Sequence, residues 1–404
     1  MSVAITGWAW RTGLGSSVDE VISQILEGKH AIGPHRDLTP HTYACPISVQ
    51  IKEKPKRSRH RRFARRMELF GMEVAHEALA MSGVQGGERL GAFAGVGGLR
   101  AHWDEMMPAL QNQQDDHQDM WERGFKLFHP FWMLKHLSNN AHALFAADVK
   151  AQGEGLTFGG ANAGACALHA AICALKTKAI DAAVVFAYDS LVHPDVLVEL
   201  AARKRAVRIP QQANVGDDQT WKGPYDKNSD GLIPGEAAAA LVLERVESTS
   251  ERTLAWLSCV DGADGMKYEP EPRHLSTLLS RLLSEDEAAA DSSRCVVDGA
   301  SIGCPLWDLA EREILSKHLG VESPLISLTS SLGHVGAAQS LVQSIALTKF
   351  LAHGLLPPII GLEQPSDGAL RPLTAPEATL AKRALGISAF APGLMGMIQV
   401  HLPE

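Results

Sequence analysis

The chain has 404 residues, 45% of them apolar and 21% charged, and a formal net charge of −8. This is ordinary globular composition, long enough for two domains or one large duplicated core. The moderate acidic balance argues against a general nucleic-acid binder, and the 36 glycines and 21 prolines are too dispersed to mark a low-complexity linker.

The opening run Val3-Ala4-Ile5-Thr6 is β-prone and closed by glycine, and Val18–Leu26 then carries helical apolar spacing. Leu69–Ala80 reads as an amphipathic helix ended by Ser82-Gly83, and residues 90–98 as a buried strand running into a glycine turn. Residues 110–124 are polar and aperiodic, as in an exposed loop. From Gly155 a strand, a turn and a helix run to Lys178, and residues 179–187 form another buried strand. Residues 203–223 read as loop, and Glu236–Glu244 returns to a strand. The second half repeats the theme: a strand over Arg294–Val297, a helix over Leu309–Leu319, a Ser/Thr/Gly loop from Ser327, and a helix from His334 to about Phe350. Ile387–Phe390 and Gly396–His401 close the chain as strands. Alternating strands and helices in both halves predict an α/β protein. The polar stretch 246–252 is the best seam, giving halves of 1–250 and 251–404.

Met1 to Gly15 lacks a basic n-region and a continuous apolar stretch, so no targeting segment is expected. The uncharged run Gly155–Leu175 is too rich in glycine and alanine to span a bilayer and reads as a buried helix, so no membrane association is expected. Six cysteines, at 45, 166, 173, 259, 295 and 304, form no CxxC pair and no zinc spacing. They suit a reducing cytoplasm, and no metal is expected. Gly95-Val96-Gly97-Gly98 lacks the last glycine and the acidic partner of a nucleotide loop, so no cofactor is expected either.

Several segments together resemble the β-ketoacyl-acyl-carrier-protein synthase family. Val3-Ala4-Ile5-Thr6-Gly7 and Gly13-Leu14-Gly15 resemble its opening strand and turn. Tyr225-Asp226-Lys227-Asn228-Ser229-Asp230-Gly231-Leu232-Ile233-Pro234-Gly235-Glu236, running on to Leu241-Val242-Leu243-Glu244, is similar to its FDxxRDGFxxGEGAGxLVLE signature. Gly333-His334-Val335-Gly336-Ala337-Ala338 resembles GHxxGAAG, and Pro357-Pro358-Ile359 follows at about the spacing of a PPT segment. The resemblance covers nearly the whole chain. It implies a thiolase-like five-layered αβαβα fold of two similar halves, and obligate dimers.

The family needs a cysteine thiolate at a helix N-terminus, favoured there by the helix dipole, to accept an acyl group from its carrier. Two histidines then stabilise the enolate formed on decarboxylation. Counting back from Asp181 puts the cysteine position on Ala161, in Gly160-Ala161-Asn162-Ala163-Gly164. With Asp308 and Glu311 fixing the frame of HGTxTxxGDxxE, the first histidine has become Ala300. The lysine aligns with Thr329, and the gating GFGGTN segment has become Phe390-Ala391-Pro392-Gly393-Leu394-Met395. Only His334 survives. An alanine cannot be acylated, and members of such a set act as a unit, so the losses point to a non-catalytic homologue. His334 is either a residual acid or oxyanion donor, or a histidine bonded to its own loop. Cys166, five residues past Ala161, is the rival nucleophile or a small buried thiol, and His169 lies three residues on from it. Cys304 aligns with a threonine of HGTxT.

Residues 52–66 carry nine Lys or Arg against one Glu. They are either a solvated loop or a docking patch for acidic acyl carrier protein, with Arg61, Arg62, Arg65 and Arg66 as its contacts; nucleic acid is the weakest option for an acidic chain. By resemblance the strand near Leu156–Gly159 pairs with its counterpart across a twofold, and loop 136–142 reaches the partner, so Leu137, Asn139, Asn140 and Ala391 are expected at the tunnel or the partner subunit. The role implied is a chain-length-factor-type subunit that pairs with an active ketosynthase in type II polyketide, polyene or fatty-acid synthesis. The alternatives are a divergent acyltransferase or hydrolase working through Cys166 or His334, and a homodimeric acyl-binding protein.

Overall fold

The computed structural model describes residues 2–35, 47–98, 126–207, 221–246, 251–263, 272–284, 295–389 and 394–403, with Glu105 and Gly124 besides. The large sheet of eleven strands takes five from the first half: β1 (Ser2–Arg11), β2 (Leu90–Val96), β3 (Gly155–Gly159), β4 (Ala182–Ser190) and β5 (Glu236–Val246). Six come from the second: β6 (Ala255–Ala263), β7 (Cys295–Asp298), β8 (Pro324–Ile326), β9 (Arg371–Pro372), β10 (Arg383–Ala389) and β11 (Leu394–His401). Their hydrogen-bonded order is β3-β2-β4-β5-β1-β6-β11-β10-β7-β8-β9. Outward from the join, each half runs first strand, last strand, next to last, second, third. The inner pairs are antiparallel and the outer pairs parallel in both halves. The join itself is short, Ala4 opposite Trp256 and Ile5 opposite Ala255.

Helices fill three layers around these sheets. Helix α1 (Val18–Leu26) is capped by Ser17 and buries Val21, Ile22 and Ile25. On the outer face of the first half lie α2 (Arg66–Ser82) and α3 (Asn140–Val149). In the centre lies α4 (Ala163–Lys176), and α5 (Pro194–Ala202) flanks the first half. Helices α6 (Pro272–Ser284) and α7 (Pro305–Leu319) cover the outer face of the second half. Helix α8 (Gln339–His353) shares the centre with α4. Layering of this kind explains the strand sequences. In β4, Ala183, Val185 and Ala187 face the central helices, whereas Ala182, Val184, Phe186 and Tyr188 face the outer ones. Both faces are covered, so the strand reads as continuously apolar instead of alternating. The architecture is the five-layered α/β fold of two similar halves.

Boundaries moved where polar punctuation misled. Helix α2 starts three residues before Leu69, because Glu68 reaches back and accepts from the N-cap amide of Arg65 (2.7 Å), the acidic half of a capping box. Gly83, at φ 71°, ends it. Helix α7 begins at Pro305, whose fixed φ suits a first helical position. His334 does not start α8: its backbone is bonded across to Ile233 and Gly235, and a one-turn 3-10 helix, Gly336–Ala338, comes between. Strand β6 and helix α6 had no counterpart in the sequence expectations, although α6 buries Leu275, Leu278, Leu279 and Leu282 at helical spacing.

Helix α4 is held tightly at its head. A side chain at Gly164 would run into the carbonyl oxygen of Ala337, and one at Gly95 would meet the backbone of Ala163 and Gly164. We expect Gly164→Ala to destabilise the fold by about 2–3 kcal/mol, because the obstacle is backbone that cannot swing aside. Urea unfolding of the two chains measures this.

Candidate functional site

The strand-to-helix turn at Gly160–Asn162 leads into α4, with Gly160 at φ 122° and Asn162 as N-cap. The Asn162 side chain donates to the Met395 carbonyl (3.4 Å), which ties the turn to the start of β11. Ala161 sits there half-exposed and presents only a methyl group at the head of the helix. Close by along α4, Gly164 abuts the Ala337 carbonyl, so the turn and the segment after His334 form one neighbourhood.

His334 is buried and fully committed to backbone. Nδ1 accepts from the Gly336 amide (3.2 Å), which fixes the proton on Nε2, and Nε2–H donates to the Ala389 carbonyl (3.1 Å). Burial lowers its pKa to about 4, so the ring is neutral at pH 7. This is the loop-bonded arrangement of the two weighed from sequence. Beneath it, Asp189 accepts from the Ala337 amide (3.1 Å) and fills the space where Gly97 and Gly336 lack side chains.

Ala300 is buried, and its amide donates to Glu311 Oε1 (2.8 Å). Glu311 Oε2 accepts from the Tyr225 hydroxyl (2.8 Å), so the acidic frame and the Tyr225 signature meet under the loop. Burial pushes Glu311 up to about 7 and Asp298 likewise to about 7. Asp298 accepts from the Leu328 amide (2.8 Å) and from Gln343 (2.9 Å). Thr329 is also buried, its hydroxyl 3.0 Å from Ser327 Oγ and 3.4 Å from the Ser301 carbonyl. These contacts hold loops together, and none directs an acid, base or nucleophile toward Ala161.

Cys166 and His169 do share a partner, though not in a nucleophile's arrangement. Both meet Asp261 of β6, the thiol at 3.4 Å and the imidazole through Nδ1. Burial and then the neighbouring carboxylate push the Cys166 thiol up to about 12, which disfavours the thiolate a nucleophile needs. Asp261 was not anticipated, because 95 residues separate it from Cys166. Cys304 is half-exposed at the N-cap of α7. No group of His, Cys, Asp and Glu among the described residues is arranged to hold a metal ion.

The four arginines of the basic run divide. Arg61 and Arg62 are exposed on a one-turn 3-10 helix, Arg59–Arg62. Arg65 caps α2 and contacts His136 and Glu105. Arg66 forms a bidentate pair with buried Glu236 (2.9 Å on both arms) and lies over the Phe70 ring. Arg65 and Arg66 are therefore parts of the fold. Leu137 is 45% exposed and Asn139 exposed, but Asn140 is only 9% exposed and donates to the Phe63 carbonyl (2.6 Å) within its own chain. Ala391 lies outside the described residues, as do Cys45 and most of the gating segment.

Strand β3 pairs with β2 on one side only and exposes Leu156 (48%). Upstream of the helix that precedes it, Leu127, Phe131, Met133, Leu134 and Leu137 are exposed as well. No helix of the described residues is long and apolar enough to cross a membrane.

Comparison with known proteins agrees with this geometry. The family descriptions "Beta-ketoacyl synthase, N-terminal domain" and "Beta-ketoacyl synthase, C-terminal domain" match residues 1–249 and 255–363. The chain belongs to the β-ketoacyl synthase family. Among its relatives, the 3-oxoacyl-[acyl-carrier-protein] synthase 2 of Synechocystis is 22% identical over 90% of this chain and 88% of its own length. The enzyme of the same name from Mycobacterium tuberculosis is 27% identical over 61% of this chain and 60% of its own. Two solved structures share the fold at a TM-score of 0.82: a β-ketoacyl synthase from Burkholderia phymatum (17% identity, all of both chains) and the ishigamide ketosynthase/chain length factor (16% identity, 100% of this chain and 99% of that one).

The His334 pKa gives a signed expectation. The unfolded ring takes up its proton near pH 6.5 and the folded ring only near 4, so its contribution to stability falls as pH drops between those values. Asp298 and Glu311 act oppositely, since they hold protons in the fold up to about 7. The stability difference between the wild-type chain and His334→Gln should therefore shrink by about 1.4 kcal/mol per pH unit from 6.5 towards 4. Denaturant titrations of both chains across that range check the slope.

Proposed function

We propose that the chain is a non-catalytic ketosynthase-like subunit of the chain-length-factor type. It pairs with an active β-ketoacyl-acyl-carrier-protein synthase and forms part of the wall around the growing polyketide, polyene or fatty-acyl chain. The observation that carries this reading is the state of the site: a methyl group at the helix head, an amide at Ala300 already bound to Glu311, and a His334 N–H already given to Ala389. A family scaffold whose site residues all serve the fold has kept its shape without its chemistry. One structural relative has chain length factor in its description, which fits. The open edge of β3 with Leu156 and the apolar residues 127–137 offers a surface for a second subunit. The exposed Arg61 and Arg62 suit an acidic carrier protein. The divergent-enzyme alternative gains nothing from Cys166, whose thiol is held protonated beside Asp261.

Incubation with acyl carrier thioesters should leave the intact mass of the isolated chain unchanged, and a stoichiometric adduct on Cys166 would reverse the reading. Ala161→Cys alone should not restore condensation, since Ala300 and Thr329 remain.

Co-expression with an active ketosynthase from the same gene neighbourhood should give a one-to-one complex by native mass spectrometry. That complex should make chains the ketosynthase alone does not. Only homodimers would favour the acyl-binding alternative.

A further inference from the structure

Residues 52–63 form a strap across the outer face of the first half, and it is fastened by charge. A cavity of about 270 Å³ separates it from α2, lined by Lys56, His60, Leu69, Glu73, His76 and Asp148 among others. Apolar packing is therefore thin there. On α2, Lys56 reaches Glu77 (2.6 Å) and its amide meets Glu73. On the last turn of α3, Asp148 gathers three cationic or ionisable partners. Arg59 pairs with one oxygen, His60 Nε2 lies 2.8 Å from the other, and His76 Nε2 lies 3.5 Å from that same oxygen. On the first turn of α3, Asn140 holds the Phe63 carbonyl, and the Phe63 ring packs edge-on against Phe131 at 4.9 Å.

The 3-10 turn that carries Arg61 and Arg62 is thus tied to one helix at both ends, at points about 12 Å apart along its axis. Arg61 and Arg62 themselves make no ion pair with another described residue and point outward from between the two anchors. Asp148 engages Arg59, at the surface, and His60, and leaves Arg61 and Arg62 exposed and available to a ligand. Burial tends to raise the Asp148 carboxyl, but its bonds to Arg59 and His60 hold it below the usual range, so it is charged throughout the working pH range.

We infer that Asp148 is a positioning residue that holds the basic strap in the shape presenting Arg61 and Arg62 to an acidic protein partner. The inference rests on the carrier-docking reading for its partner, but the anchoring can be tested without one. The full-length chain and its Asp148→Asn and Asp148→Glu variants would be digested with limiting trypsin, and cleavage after Arg57, Arg61 and Arg62 followed by mass. Loss of the charge should speed strap cleavage about tenfold while the core stays resistant. Asp148→Glu, which keeps the charge, should restore slow cleavage. In parallel, affinity for acyl carrier protein at low salt should fall in Asp148→Asn and in the Arg61→Glu, Arg62→Glu double variant, and recover in Asp148→Glu. Equal cleavage of wild type and Asp148→Asn overturns the inference, as does faster cleavage with carrier affinity intact. If the wild-type chain binds no carrier at all, the docking reading fails and the presentation of Arg61 and Arg62 to an acidic partner fails with it; faster cleavage in Asp148→Asn would then support the anchoring alone.

Discussion

The fold depends on how closely α4 can approach its neighbours on both sides. Small residues make this possible: Gly95 beneath the helix, Gly164 in it, and a run of alanines along it. A sheet lies on each face, so a methylene added at one of the buried positions of α4 would displace a β-layer instead of entering solvent. The helix head is therefore fixed in place by packing, independent of what residue stands at 161. This separates two properties that a functioning active site combines, the position of a group and its chemical identity. At residue 161 the packed position carries a methyl group.

The remaining polar residues tell the same story. Glu311, Asp298 and Gln343 are buried, and each uses its hydrogen bonds to join a loop to a strand or helix. Such groups are hard to lose, because removing one partner leaves the other unsatisfied in a medium of low polarity. Side chains that act on a substrate have no such internal partner and can be shortened to alanine without penalty to folding. Ala161 and Ala300 carry no such side-chain bond, and at Ala300 only the backbone amide is engaged. His334 is bonded to backbone at both ring nitrogens, which places it with these internally committed groups.

The strand–helix alternation could be read from the sequence, because β2, β4 and β5 are continuous apolar runs and α4 follows a glycine turn, whereas the five-layered order came by resemblance. The site could be read only by resemblance, since the spacing of Tyr225 to Glu236 and of Gly333 to Ala338 marks loops whose chemistry depends on distant residues. Those residues were not legible. Asp261 meets Cys166 and His169 from 95 and 92 residues away, and Glu236 meets Arg66 from 170. Periodicity reports which face of an element is buried, and carries no information on which charged group it will face. The same limit explains Asn140: resemblance places it at the partner subunit, yet its amide is turned inward to Phe63.

The placement of β1 has a consequence for how the chain is made. Both its neighbours, β5 and β6, are encoded more than two hundred residues downstream of it. At ribosomal speed the first strand emerges and then waits roughly ten to fifty seconds before either partner exists. Through that interval Val3, Ile5 and Trp10, all buried in the finished protein, lack the strands that flank them there. The nascent chain must therefore be shielded, or collapse locally onto α1 and α2, and the first half can close its sheet only when synthesis has passed its end.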